Sequence, residues 1–383
     1  MKLLVIGAGM MGSAAAYDMA RAPEVEQVTL ADCDRARAEQ AARRINRLSR
    51  TRKVHPQSLD AAQQRAVTKL MRAHQATLSC VPYHFNLRLA EAAVAAGRHF
   101  ADLGGNNTIV RQELALAHEA ARKNIALVPD CGLSPGLASI LGGELVRRLG
   151  GRADYVRIYV GGLPAQPKPP FGYQLVFSAE GLINEYAEPC RILRGGKITH
   201  VAPLTELEVF KLRGFPPLEA FHTSGGTSTL PETFRGQVGE CFEKTLRYQG
   251  HHAMLRALSD LGLFSRSRVT LGREQVDLRR LMTGIFEQKF RGDAPDLVIL
   301  KVQARRRHRE AAFTMVDHYD RATGMTAMMR TTAWPAAIVL RLLASGAIPK
   351  RGAVYQERDV PFTRFVQEMA ARGVKIVYRD QQG

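Results

Sequence analysis

With 383 residues the chain is long enough for two domains with separate cores, and 45% apolar with 23% charged residues is a globular balance, not a disordered one. Its longest apolar stretches, such as 334–344, are too short and too interrupted to span a bilayer. A formal charge of +18 raises the question of a nucleic-acid partner, yet the basic residues are scattered and bring no zinc finger, RNA-recognition signature or basic zipper with them.

The first element is an apolar strand over 3–6 that runs into Gly7-Ala8-Gly9-Met10-Met11-Gly12 and then an alanine-rich helix over 13–22, stopped by Pro23. The apolar run ends in these glycines and is too short for a signal sequence. A second strand, 28–31, closes on Asp32 at the spacing of a dinucleotide-binding fingerprint. Gly7 permits the tight turn, Gly9 lets backbone approach a pyrophosphate, and Gly12 allows the helix to pack on the strand. The helix N-terminus offers N–H groups and partial positive charge to phosphate. Asp32 suits the adenine-ribose hydroxyls and repels a 2′-phosphate, favouring NAD over NADP, although Arg35 and Arg37 weaken that preference.

Strands over 76–81, 99–103 and 126–128 alternate with helices over 35–48, 60–73, 87–96 and 110–123, and a further short strand lies near Val54. This alternation predicts a Rossmann-type, doubly wound parallel sheet with ligands at the carboxyl ends of its strands. Cys80, Val81, Pro82, Tyr83, Asp102, Leu103 and Asp130 follow those ends and become candidate cofactor or substrate contacts.

Beyond Ser134-Pro135, expected to cap and start a helix reaching about 149, strands come in runs: 155–160, 191–193, 197–201, 207–212, 242–248, 296–304 and 311–316. Helices are expected over 179–186, 252–261 and 278–290, and 164–170 as an extended surface arm. The pattern predicts an α+β substrate domain on a mostly antiparallel sheet, with Arg305 to Arg309 forming a solvated strand end or hairpin. Helices over 331–343 and 362–371 and a strand over 374–378 then return to the first domain. The expected divisions are therefore 1–130, 131–330 and 331–383. The apolar surfaces of the second part suit a homodimer or larger symmetric assembly.

Cys33, Cys80, Cys131, Cys190 and Cys241 stand singly without CxxC or zinc spacing, which argues for reduced thiols, a cytoplasmic protein and no metal. The stretch Phe221-His222-Thr223-Ser224-Gly225-Gly226-Thr227-Ser228-Thr229 pairs a histidine able to move a proton near neutral pH with small residues that admit a ligand. It reads equally as a polar turn capping a helix. In Lys244-Thr245-Leu246-Arg247-Tyr248-Gln249-Gly250-His251 a guanidinium fork suits a carboxylate, or the segment is a solvated strand face with a salt bridge.

Together, Ala101-Asp102-Leu103-Gly104-Gly105, Pro129-Asp130-Cys131-Gly132-Leu133-Ser134-Pro135-Gly136, the block around His222 and the block around Arg247 resemble the saccharopine dehydrogenase-like family over essentially the whole chain, and within it the L-lysine 6-dehydrogenase branch. Asn106 departs from the histidine that some members of that branch carry there. The resemblance implies NAD-dependent oxidative deamination of the ε-amine of L-lysine to 2-aminoadipate 6-semialdehyde, which cyclises. Water hydrolyses the imine formed by hydride loss, and ammonia and NADH leave. A small amino-acid substrate is then the partner, with no nucleic acid or membrane. His222 is the expected proton-transferring residue and Asp102 its helper. Arg247 would take the substrate α-carboxylate, with Thr229 and Tyr173 adding hydrogen bonds and Asp130 at the substrate or the hinge. The alternatives are a saccharopine-type enzyme that joins or splits an amino acid and a semialdehyde, and a non-catalytic NAD-binding regulator.

Overall fold

Leu3, Leu4, Val5 and Ile6 are all essentially inaccessible, as a strand covered on both faces requires. They belong to the strand Lys2–Ile6 at the centre of a seven-stranded sheet. In the computed structural model, which describes residues 1–382, that sheet runs in the order Gly352–Ala353, Ala126–Val128, His99–Asp102, Ala76–Ser79, Lys2–Ile6, Gln27–Asp32, Val54–Ser58. Every neighbouring pair is parallel. The change of direction in strand order falls beside Lys2–Ile6, so its carboxyl end is the natural ligand position.

The chain forms two compact units, Met1–Gly143 with Met329–Val374, and Glu144–Met328 with the residues from Lys375 on. In the first unit the opening helix begins at Met10, three residues earlier than expected, because Gly9 is already its N-cap. The helix predicted over 110–123 divides into Asn107–Ala115 and Ala117–Arg122. The Asn106 carboxamide caps the first of these, accepting from Thr108 and Ile109 N–H. Ser134 and Pro135 do not start the next helix. Gly136 takes φ +111° and Gly132 N–H closes on the Pro135 carbonyl, so Leu137–Arg148 begins after that turn. The C-terminal helix Phe362–Ala371 is tied in by Arg372, which donates to both Asp18 and Glu368.

The second unit is built on a nine-stranded sheet with main order Glu208–Phe210, Leu218–His222, Val238–Tyr248, Ala153–Pro164, Asp296–Arg306, Arg309–His318, Ile376–Gln382. Among the described residues, only the pairing of Val238–Tyr248 with Ala153–Pro164 is parallel. The hairpin Cys190–Arg194 and Lys197–Val201 attaches beside Val238–Tyr248. Arg307, at φ +56°, turns the basic run between two paired strands, as the hairpin reading required. The tail departs from expectation: its helices belong to the first unit, but Ile376–Gln382 pairs with Arg309–His318 in the second sheet. The elements that escape the sequence reading include the exposed hairpin Arg268–Leu271 and Glu274–Asp277, the strand Gly352–Ala353 at the edge of the parallel sheet, and the strand Leu218–His222, read above as the start of a polar turn.

Alternation along Leu218–His222 and Val238–Tyr248 sorts their side chains onto two faces. Phe221 joins Tyr173, Tyr186, Leu255 and Phe286 in a core covered by helices Ala179–Ala187, His251–Asp260 and Leu278–Lys289. Leu218, Ala220, Phe242 and Leu246 join Tyr159, Ile192 and Phe210 on the other face.

Candidate functional site

Three groups of residues carry the candidate chemistry, and the first is the glycine turn. A Cβ on Gly7 would stand 2.7 Å from the Cys80 carbonyl oxygen, and one on Gly12 only 1.7 Å from that of Gly7. Only glycine lets the helix seat so close to the strand. A Cβ on Gly9 would meet nothing within 4 Å, so this side of the turn has room for a phosphate. The helix behind it has no side-chain cap and no acid in its first turn, leaving its N–H groups for an anion. Met10 and Met11 sit here, Met10 exposed.

Asp32 is largely buried. Its Oδ2 accepts from Ala8 N–H at 2.7 Å and its Oδ1 from Asp34 N–H at 2.9 Å. The carboxylate thus braces the glycine turn. Arg37 lies 3.9 Å from its Oδ1 and is mostly exposed, so the charge expected to repel a 2′-phosphate is offset by an adjacent guanidinium. The preference for NAD expected from Asp32 alone is correspondingly weakened. These residues fit a pyridine dinucleotide, whose phosphates the turn would hold and whose ribose Asp32 and Arg37 would meet.

The second group follows the neighbouring strands. Val81 packs beside Gly7, and Tyr83 beside Gly105. Burial and the charge of Asp102 push the thiols of Cys80 and Cys131 up, which keeps them neutral and makes them fillers of space. Asp102 is completely buried and holds loops rather than facing outward. Its Oδ1 accepts from Gly104 N–H at 2.6 Å and from Asp130 N–H at 3.3 Å. Asp130, at φ +56°, accepts from Gly105 N–H in return, and its Oδ1 fills the space where a Cβ on Gly104 would be. Leu103 lies half-buried between these partners. The substrate-facing positions expected for Asp102 and Asp130 give way to this cross-lacing, because both side chains are sealed in by the loops they anchor.

The third group lies on the helix-covered face of the second sheet. The Arg247 guanidinium is buried over the Tyr173 ring, 4.9 Å from its centroid. It donates through Nε to the Tyr186 hydroxyl at 3.1 Å and through Nη1 to the Leu246 carbonyl at 2.9 Å. Its Nη2 stands 3.9 Å from Glu185 Oε2, and the Glu185 side chain keeps 29% of its surface exposed. The Tyr173 hydroxyl is buried without a partner. Tyr186 bonds to His251 Nε2 at 3.0 Å, and His251 Nδ1 meets the Phe171 carbonyl at 3.0 Å. That carbonyl can only accept, so Nδ1 carries the proton and Nε2 accepts from Tyr186. Burial beside Arg247 pushes His251 down to about 3, consistent with a neutral ring. Glu243 accepts from Thr223 and Thr245 hydroxyls at 3.0 and 3.2 Å, with Gly226 packed on its side chain. Burial pushes Glu185 up to about 7 and, with Glu185 as a like-charged neighbour, Glu243 up to about 8.

His222 is not part of this group. Its neighbours along the strand, Phe221 and Thr223, point to the Arg247 face, and it points away. It is 0% exposed and T-stacked on Phe242, with Nδ1 at the Glu243 carbonyl and Nε2 at Glu206, each 3.2 Å away. Burial lowers its proton affinity. Both nitrogens are engaged, Nε2 by a Glu206 side chain that is itself exposed, so the expected proton-transferring residue stands apart from the Arg247 group. Thr229 opens the helical turn Leu230–Thr233. Glu219 accepts from Gly250 and His252 N–H and caps the helix His251–Asp260. Sequence reasoning missed Glu185, Tyr186 and Glu243, and gave His251, at the end of the Arg247 stretch, no role. Odd-numbered alternation from Glu243 to Arg247 was the available signal.

The chain matches two family models, the saccharopine dehydrogenase NADP binding domain over residues 3–128 and the saccharopine dehydrogenase C-terminal domain over residues 132–374. Among curated proteins it is 26% identical over 269 residues to saccharopine dehydrogenase (NADP(+), L-glutamate-forming) of Schizosaccharomyces pombe, covering 68% of this chain and 57% of that protein. It is 25% identical to the protein of the same name from Saccharomyces cerevisiae, over 54% of this chain and 47% of that one. The chain thus spans about half the length of these relatives. Among solved structures, apo saccharopine dehydrogenase (L-Glu forming) from Saccharomyces cerevisiae superposes with a TM-score of 0.75 at 18% identity, covering 99% of both chains, which shows a shared fold. Among the described residues no helix is long and apolar enough to cross a membrane.

Proposed function

The chain belongs to the saccharopine dehydrogenase family, and on that premise we propose that it is a pyridine-nucleotide-dependent oxidoreductase acting on a carbon–nitrogen bond of an α-amino acid, with the ε-amine of L-lysine as substrate. The observation that carries this reading is the buried Arg247 with the half-buried Glu185 carboxylate 3.9 Å from it. An α-amino acid presents a carboxylate and an ammonium on adjacent atoms, so a guanidinium and a carboxylate side by side match its head group. The unpartnered Tyr173 hydroxyl, on the ring beneath Arg247, supplies a further donor to the substrate carboxylate. The chain Arg247–Tyr186–His251–Phe171 fixes the guanidinium before substrate arrives.

The bound dinucleotide supplies the hydride acceptor. A carbon gives up hydride readily only when its nitrogen has a free lone pair, so the substrate ammonium, with a pKa of about 10.4, must first lose a proton. Glu185, poised near neutrality by burial, pairs with the α-ammonium once deprotonated.

The second reading is a saccharopine-type enzyme. The names of the curated relatives favour it, and the same head group is present in saccharopine. The test is a parallel assay with NAD and NADP against L-lysine and saccharopine, following reduced nucleotide and ammonia. Ammonia matching reduced nucleotide with lysine supports the first reading. Turnover of saccharopine alone, releasing an amino acid and no ammonia, establishes the second.

A further inference from the structure

Glu113, on the helix Asn107–Ala115, is 1% exposed, and neither of its carboxyl oxygens accepts a hydrogen bond. The carboxylate of Asp102 is its neighbour, and Asp102 Oδ2 likewise has no N–H or hydroxyl donor. The ionisable groups facing Glu113 are Asp102, at the end of the strand His99–Asp102, and Asp130, after Ala126–Val128. The Cys80 and Cys131 thiols also lie in the field of Asp102. All are acids, so nothing around Glu113 stabilises a second negative charge.

Two carboxyl groups that face each other in a dry interior satisfy both by sharing one proton. Asp102 already uses Oδ1 as an anion, receiving Gly104 and Asp130 N–H. The proton therefore resides on Glu113. We propose that Glu113 is a positioning residue. Its protonated carboxyl donates to Asp102 Oδ2 and so fixes the two loops, Asp102 to Asn106 and Pro129 to Gly132, at the ligand end of the parallel sheet.

The inference rests on the first unit being the dinucleotide-binding one, and it gives Asp102 a structural task in place of the catalytic one expected from sequence. Burial raises the Glu113 carboxyl far above the usual carboxylate range, so the lock holds at neutral pH and opens only when strongly alkaline conditions remove the shared proton.

The test uses the full chain and two variants. Glu113→Gln keeps a donor to Asp102 with no proton to lose, and Glu113→Leu keeps the volume and loses the donor. Infrared difference spectra of the parent at neutral pH should show the carbonyl band of a protonated carboxylic acid that is missing from Glu113→Gln. NADPH and NADH binding, followed by nucleotide fluorescence across alkaline pH, should weaken with rising pH in the parent and stay flat in Glu113→Gln. At neutral pH Glu113→Leu should bind about tenfold or more weakly while Glu113→Gln stays within about threefold. A missing band, or Glu113→Leu binding like the parent, overturns the proposal. If Glu113→Leu does not fold, the band and the flat Glu113→Gln profile decide alone. If the parent binds no dinucleotide, the reading of the first unit fails, while the infrared band still settles where the proton lies.

Discussion

His222 and Arg247 belong to adjacent antiparallel strands of one sheet and project from its opposite faces. Arg247 lies across from Glu219, while His222 lies across from Lys244, whose ammonium binds the Glu206 carbonyl and Glu208 on the far side. One substrate cannot touch both. Substitutions at the two positions should therefore separate. Arg247→Met should lower kcat/KM by roughly 30- to 1000-fold, the ~2–4 kcal/mol of a lost buried charge pair, with melting temperature as the control for folding. His222→Asn should cost about 1–3 kcal/mol of stability and leave kcat/KM within about threefold. A His222→Asn enzyme that is stable but inactive would return that residue to the reaction.

The pairing of Arg247 with Glu185 predicts which part of the substrate each reads. Removing the carboxylate from lysine gives 1,5-diaminopentane, and removing the α-amine gives 6-aminohexanoate. The parent should discriminate against both. Arg247→Met should lose most of its discrimination against the diamine, and Glu185→Gln most of its discrimination against the aminohexanoate. Steady-state kcat/KM for the three compounds with each variant measures this. Unchanged ratios would show that neither residue reads the head group.

Glu185 also predicts a pH limb. Its carboxyl sits at about 7, so KM for lysine should rise as pH falls below that value and the ammonium partner is neutralised. Glu185→Gln should have a higher KM throughout and no such limb in a KM profile.

On the nucleotide side, Gly12→Ala places a methyl carbon 1.7 Å from the Gly7 carbonyl oxygen, which forces the turn out of shape. Titration should show binding of both dinucleotides reduced by about tenfold or more. Arg37→Ala should act selectively, weakening NADPH about tenfold and NADH little, because only the former brings a 2′-phosphate to this guanidinium. Equal losses for both would place the phosphate elsewhere.

Stability should depend on pH through the buried acids. Glu243 titrates at about 8 in the fold and at about 4.3 in the unfolded chain, so between these values the native state holds a proton the unfolded state has released. Its contribution is complete below about 4.3 and is lost as pH rises toward 8, by about 1.4 kcal/mol per pH unit. His251 and His99, lowered to about 3 and about 4, act in the opposite sense: they favour the fold above about 6.5 and oppose it as pH falls below. Melting temperature should fall from pH ~7 to ~9, and Glu243→Gln should flatten that fall.

The fold was largely legible because its signals are local. The glycine turn, Asp32 and the alternation of buried strands with helices each depend on a few consecutive residues. The second sheet was legible as strands, but not in which way each strand faces. A single unrecognised strand, Leu218–His222, hid the alternation that sends His222 to one face and Phe221 to the other. Glu185 was missed because it reaches Arg247 from a helix sixty-two positions earlier in the sequence. Glu113 was missed for a related reason. A glutamate in a helix reads as a solvated charge until the fold buries it against Asp102.

The most direct measurement is deuterium transfer from L-lysine labelled at C6. The account predicts that the reduced nicotinamide isolated after turnover contains deuterium, that an isotope effect slows single-turnover reduction, and that both signals vanish in Arg247→Met. Reduced nucleotide free of deuterium, or labelled lysine recovered intact while the nucleotide stays oxidised, would contradict it.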